Sequence, residues 1–252
     1  MSQRESQIKA LVRHSYENSE VISRYTSVGL WLSEENLLLE YVPDEGRILD
    51  MGCGAGRTTI PIAEMGLNVV GIDISLPMVA AARQQAALIG VDAEFQVMDS
   101  MQLEFAAASF DVALYSYNGI ELIPGREAKK KVMGEVWKVL KPGGYFIFSS
   151  HSLFALNRFA PFRLLSFLKL CAGRFAGLPV KERELGERFA DGEGEEVRYL
   201  QVLPPFVLLK MLRQTGFEVV YFNTRKRLEN SLKWGFPGHF EDGERFYVAR
   251  KS

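Results

Sequence analysis

Long apolar runs are missing from this chain. Nowhere do about 20 uncharged apolar residues follow one another, so no segment is expected to span a membrane. Cysteine is scarce. Cys53 and Cys171 are the only two, far apart and outside any CxxC pair, which argues against a disulfide framework and a structural zinc site and fits a reducing compartment. An excess of charge is also lacking. The formal net charge is −1, whereas a protein that coats nucleic acid is strongly basic, so no nucleic-acid partner is expected. The opening residues, "MSQRESQIKALVRHSYENSE", are polar and hold no apolar signal core, and a cytoplasmic protein is expected.

What the chain has is an alternation of short apolar runs with helical patterns between Arg47 and Ser150. The runs are "RILDM", "NVVGID", "AEFQVM", "FDVALYS" and "YFIFSS". Their near-continuous hydrophobicity fits strands of a parallel sheet covered on both faces by crossover helices. Between them, Ser75, Pro77 and Gly90 punctuate one helix. A second carries Val132, Met133, Val136, Trp137 and Leu140 on one face, with Lys138 and Lys141 in its last turn before Pro142 and Gly143. Pro61 interrupts the helix after the first strand, which predicts a kink or a late start. A hairpin is expected around "ADGEGEE", then a helix from Pro205 to Gly216 and strands at "FEVVYF" and "RFYVAR".

The stretch "RILDMGCGAG" carries Gly52, Gly54 and Gly56 directly behind the first strand. A phosphate-binding loop is excluded, because no Gly-Lys-Ser/Thr follows. The dinucleotide fingerprint fails as well, because Arg57 stands where its last glycine belongs. Asp50 beside the loop would repel a pyrophosphate and attract an amino group, although a strand-end aspartate also serves as a turn or cap residue. Asp73 ends the second strand, where a carboxylate can accept both hydroxyls of a ribose. Asp99 ends the third. Three aspartates at one sheet edge suit S-adenosylmethionine, which bears an ammonium and a sulfonium and no phosphate.

These residues resemble a class I S-adenosylmethionine-dependent methyltransferase. The resemblance rests on "ILDMGCGAG", Asp73 in "VVGIDIS", "VMDSM" before "SFDVALYSYNGIEL", and "LKPGGYFIFSS". It implies a Rossmann-like, doubly wound seven-stranded sheet, mostly parallel with an antiparallel last strand. It further implies that Asp50 with Gly52, Cys53 and Gly54 holds the methionine end, that Asp73 binds the ribose and that Ile74 packs on adenine. Asp99 with Ser100 would read the adenine edge, and Tyr115 would line the methionine side. Tyr25, within "SRYTSVGLW", resembles a cofactor-contacting residue of bacterial methyltransferases that act on small molecules. A single domain is expected, with a helical arm over 1–45, a cofactor-binding core over 46–151, an inserted cap over 152–203 and closing elements over 204–252.

Methyl transfer from a sulfonium is an in-line displacement of a reactive group, so alignment supplies much of the rate and a general base is optional. Candidates at the strand ends are Tyr117, Asn118 and Glu121 after strand four, and His151 after strand five. His151 either takes a proton from the acceptor or only hydrogen-bonds locally, and the second outcome is the commoner for a histidine. The strand-four segment lacks the Asn/Asp-Pro-Pro-Tyr/Phe motif of amino-methylating nucleic-acid enzymes. A small-molecule acceptor is therefore expected, with a non-catalytic adenosylmethionine-binding module as the alternative. The cap and the arm around Tyr25 and Trp31 are expected to cover that acceptor. From His151 to Val180 the cap holds four cations, five phenylalanines and no acid. One reading is a lid that touches a lipid-like or anionic acceptor at a membrane surface. The favoured reading is a cap that buries its phenylalanines on the sheet, because Pro161 and Gly173 would break a long surface helix.

Overall fold

The computed structural model describes residues 2–17, 21–22, 29–191 and 197–252. Tyr25 and the hairpin tip at 192–196 lie outside the described residues. A helix α1 (Gln3–Ser15) opens the chain, and α2 (Leu32–Tyr41) leads into β1 (Arg47–Met51). There follow α3 (Thr59–Glu64), β2 (Asn68–Asp73), α4 (Leu76–Ile89), β3 (Glu94–Val97) and β4 (Phe110–Tyr115). Then come α5 (Gly125–Val139) and β5 (Leu140–Ser150). The cap contains α6 (Ala160–Ala176) and the hairpin β6 (Glu187–Asp191) and β7 (Val197–Gln201). The chain closes with α7 (Pro205–Thr215), β8 (Phe217–Thr224), α8 (Arg225–Glu229) and β9 (Arg245–Lys251).

The large sheet has seven strands in the order β3-β2-β1-β4-β5-β9-β8. Strands β1 to β5 pair in parallel, and β9 runs antiparallel to both of its neighbours. This is the expected mostly parallel sheet with a reversed last strand. Alternate residues of each strand feed opposite cores, because successive side chains point to opposite faces. Leu49 and Met51 of β1 pack with α5 and α7, while Ile48 packs with Leu37 and Leu38 of α2. The strand order reverses between β1 and β4, which opens a crevice at the carboxyl edge of the sheet where ligands of such sheets bind.

One local expectation holds and three are corrected. Helix α3 starts late, at Thr59. Pro61 therefore sits in the first turn, where its missing N–H costs no hydrogen bond. Helix α5 ends at Val139, and Lys141 to Gly144 already belong to β5, where Gly143 takes φ +81° at an irregular register. Trp137 is not core but about 37% exposed, with Lys251 Nζ 4.0 Å from its ring centroid. The third correction is the largest. The cap phenylalanines are not buried on the sheet, since Phe154, Phe159, Phe162, Phe167 and Phe175 are all exposed. Pro161 lies in the first turn of α6 and does not break it. The helix also runs through Gly173, where a Cβ would stand 2.2 Å from Val180 Cγ2, so this glycine serves close packing. No helix among the described residues is long and apolar enough to cross a membrane.

Candidate active site

The loop after β1 turns on glycines with positive φ, at 65° for Gly52, 55° for Gly54 and 91° for Gly56. Side chains are disfavoured there, and a Cβ on Gly52 would lie 2.9 Å from Tyr115 Cε2. Above this loop opens a cleft of about 880 Å³, open solvent included. It brings together most of the residues read from the sequence: Gly52, Gly54, Asp73, Ile74, Asp99, Ser100, Tyr115 and Tyr117 all line it. They meet because strands β1 to β4 are parallel and end at one edge.

Each carboxylate has a defined setting. Asp73 accepts the Gly54 N–H on one oxygen at 3.0 Å and the Ser75 N–H on the other at 2.8 Å. Burial raises its pKa against the lowering by the backbone N–H groups of Ser75, Gly54 and Ile74. Asp99 accepts the Met101 N–H at 3.0 Å, and its other oxygen is paired with Lys9 of α1. Asp50 is fully buried and does not line the cleft. Its Oδ2 accepts the hydroxyls of Thr58 and Thr59, the latter at 2.6 Å, while Oδ1 is buried without a partner. Burial lifts its pKa to about 6. Cys53 points away from the cleft and packs with Ile60, Val79 and Ala82, so only its backbone belongs to the loop.

Sequence reasoning missed several residues here. Lys9, Val12 and Tyr16 bring α1 to the wall of the cleft. The capping box from Ser2 to Glu5 announces this helix but not where it docks. Arg57, noted only for not being glycine, is buried and grips Glu34 through two nitrogens at 2.5 and 3.0 Å. It also donates to Ser116 Oγ at 3.0 Å and to Gly29 O at 2.9 Å. Its guanidinium faces the rings of Trp31 and Tyr117 at 5.3 and 4.8 Å. Arg57 thus joins the glycine loop, the arm before α2 and the turn after β4. That turn is strained, with Tyr117 at φ 51° and Asn118 at φ 60°, a conformation that non-glycine residues rarely adopt.

A second cavity of about 750 Å³, open solvent included, lies under the cap. His151 and Glu121 line it, so the two candidates Tyr117 and His151 stand in different cavities. The 3₁₀ turn Gly119–Leu122 separates them, with Gly119 and Leu122 on the first cavity and Glu121 on the second. Glu121 accepts the His151 backbone N–H at 2.5 Å and the Ser150 hydroxyl at 3.0 Å. One of its oxygens lies 3.1 Å from His151 Nδ1, and His151 Nε2 is 3.9 Å from Glu244. Burial pulls the imidazole pKa down. The hydrogen bond and charge of Glu121, with the charge of Glu244, outweigh it and hold the pKa above its ordinary value.

The cap contributes Phe159, Arg163, Ser166 and Arg188 to this cavity. Buried ties hold it in place. Arg4 of α1 grips Glu187 at 2.8 and 3.0 Å, and Lys129 Nζ bridges Ile123 O at 2.5 Å and Gln201 Oε1 at 3.0 Å. Burial lowers the Lys129 pKa to about 7. No cluster of residues able to hold a metal ion occurs among the described residues.

Comparison with known proteins agrees with this architecture. Residues 48–144 match a family described as a methyltransferase domain. The tRNA 5-carboxymethoxyuridine methyltransferase of Escherichia coli is 31% identical over 167 residues, which is 61% of this chain and 57% of that protein. The demethylmenaquinone methyltransferase of Thermus thermophilus is 34% identical over 114 residues, 44% of this chain and 49% of that one. The chain spans about half the length of the curated relatives it matches. Among solved structures, an S-adenosylmethionine-dependent methyltransferase from Methanosarcina mazei superposes with a TM-score of 0.68 at 23% identity, covering 89% of this chain and 99% of the other. The 1,6-didemethyltoxoflavin-N1-methyltransferase of Burkholderia thailandensis gives 0.65 at 18% identity, covering 98% and 90%.

Proposed function

We propose that this chain is a class I S-adenosylmethionine-dependent methyltransferase that moves a methyl group from that cofactor to a small-molecule acceptor. The observation that carries this reading is the convergence of Gly52, Gly54, Asp73 and Asp99 on one cleft. The donor set suits this cofactor. Asp73 spends one acceptor position of each oxygen on the backbone, which leaves the others for a vicinal diol. Asp50 lies behind the loop and not on the cleft, and its Oδ1 keeps an unused acceptor position there. Gly52 and Gly54 let the backbone approach the methionine portion, Ile74 borders the adenine, and Ser100 stands beside Asp99 at the adenine edge. Tyr115 and Tyr117 close the methionine side, and Tyr25 remains assigned to the cofactor from the sequence resemblance.

The bound cofactor supplies a methyl group activated on a sulfonium. The protein's own residues would orient the acceptor and manage its proton. Glu121 fixes His151 through Nδ1, so Nε2 is the nitrogen left to accept a proton from a hydroxyl or amine. Because its pKa is raised, His151 acts in this way only once it has lost its own proton. The small-molecule reading is supported by the cap cavity, whose size fits a compact ligand better than a polynucleotide.

Calorimetry with S-adenosylhomocysteine tests the cofactor site. Wild type should bind, and Asp73→Ala should weaken binding about tenfold or more, because polar groups are left unpaired at about 1–3 kcal/mol. An unchanged affinity in the variant would move the ribose site elsewhere. Formation of S-adenosylhomocysteine with a methylated product separates the enzyme from a non-catalytic binding module.

A further inference from the structure

The cap helix α6 is amphipathic in the inverted sense. Its inward side carries Arg163, Ser166, Leu170 and Gly173, of which Arg163 and Ser166 face the second cavity. Its outward side carries Leu164, Leu168 and Phe175, which follow one another at one and then two helical turns. These three are 59%, 54% and 83% exposed. Pro161 and Leu165 widen the stripe, while Lys169 and Arg174 fall on its two flanks by the 100° advance per residue. Phe154 and Leu156 before the helix and Leu178 after it are exposed as well. An apolar helix face turned to water marks an interaction surface.

Charge selects the occupant. From His151 to Val180 the segment carries cations and no acid. A second copy docked on the same face would set Lys169 and Arg174 against their own equivalents, a like-charge contact in a self-complementary interface. A bilayer bearing anionic headgroups meets both features at once, with leucine and phenylalanine entering the acyl boundary and the flanking cations held at headgroup level. We infer that α6 docks the protein on anionic membrane surfaces.

Co-sedimentation of the full chain with vesicles tests this directly. Vesicles of phosphatidylcholine with about one-third phosphatidylglycerol should bind at least about tenfold more strongly than pure phosphatidylcholine at ordinary salt. The double variant Leu164→Asn/Leu168→Asn should lower binding to the anionic vesicles at least tenfold. Lys169→Glu/Arg174→Glu should abolish the preference for anionic lipid. In all variants S-adenosylhomocysteine affinity should stay at the wild-type value, which certifies the fold independently of the membrane readout. Absence of vesicle binding, equal binding to both compositions, or binding that survives the leucine substitutions overturns the inference. So does a concentration-dependent dimer in sedimentation velocity that the leucine substitutions dissolve, because a second copy would then be the occupant.

Discussion

Replacing Asp50 with asparagine should stabilise the free protein at neutral pH and weaken its hold on the cofactor. Burial moves the Asp50 carboxyl from its ordinary 3.8 to about 6. The folded state therefore binds the proton more tightly than the unfolded chain, and stability falls as pH rises from about 4 to about 6. At about 1.4 kcal/mol per tenfold, keeping this group ionised above pH 6 costs about 3 kcal/mol. Asparagine removes that charge. Its Nδ2 would meet the surroundings in which Oδ1 now finds no partner, an offset of about 1–3 kcal/mol. The net expectation is a gain of about 1 kcal/mol at pH 7 and no gain at pH 4, where the wild-type acid is already neutral. Urea unfolding at both pH values reads the difference. If the ligand's ammonium reaches Asp50 Oδ1 through the loop, S-adenosylhomocysteine affinity at pH 7 should fall about tenfold, the scale of one charge-assisted hydrogen bond. The reasoning fails if the wild type and Asp50→Asn show the same change of stability between pH 4 and pH 7.

Arg57→Met should destabilise the fold by about 3–5 kcal/mol, because it leaves the Glu34 carboxylate buried without its cation. Adding Glu34→Gln should recover part of that loss in urea unfolding, and a double variant no better than the single one would discredit the ion pair as the cause. For His151, the elevated pKa predicts that kcat/KM rises with pH as the imidazolium deprotonates. Glu121→Gln should move this acid limb to lower pH by removing the main charge that supports the cation, and a limb that stays in place would assign it to another group. Lys9→Ala should free one oxygen of Asp99. Calorimetry should then show tighter adenosine binding if Lys9 and the adenine amino group compete for that oxygen, and unchanged affinity would separate the two.

The sheet and its ligand edge were legible in the sequence because they are written locally. Strands buried on both faces read as continuous apolar runs, and β1 to β5 stand where those runs lie. Gly52, Gly54 and Gly56 announced a ligand loop behind the first strand, and Asp73 and Asp99 announced strand ends that a parallel sheet must gather at one edge. What only the tertiary structure decided are contacts between residues remote along the chain. No periodicity records that Lys9 pairs with Asp99, Arg4 with Glu187 or Arg57 with Glu34. Nor does a residue's place at a strand end reveal which side of a turn it will face, and so Tyr117 and His151 went to different cavities. The cap helix shows the same limit. Pro161 and Gly173 spoke against a long surface helix here, and only the packing shows one whose Arg163 and Ser166 line a cavity while its leucines meet solvent.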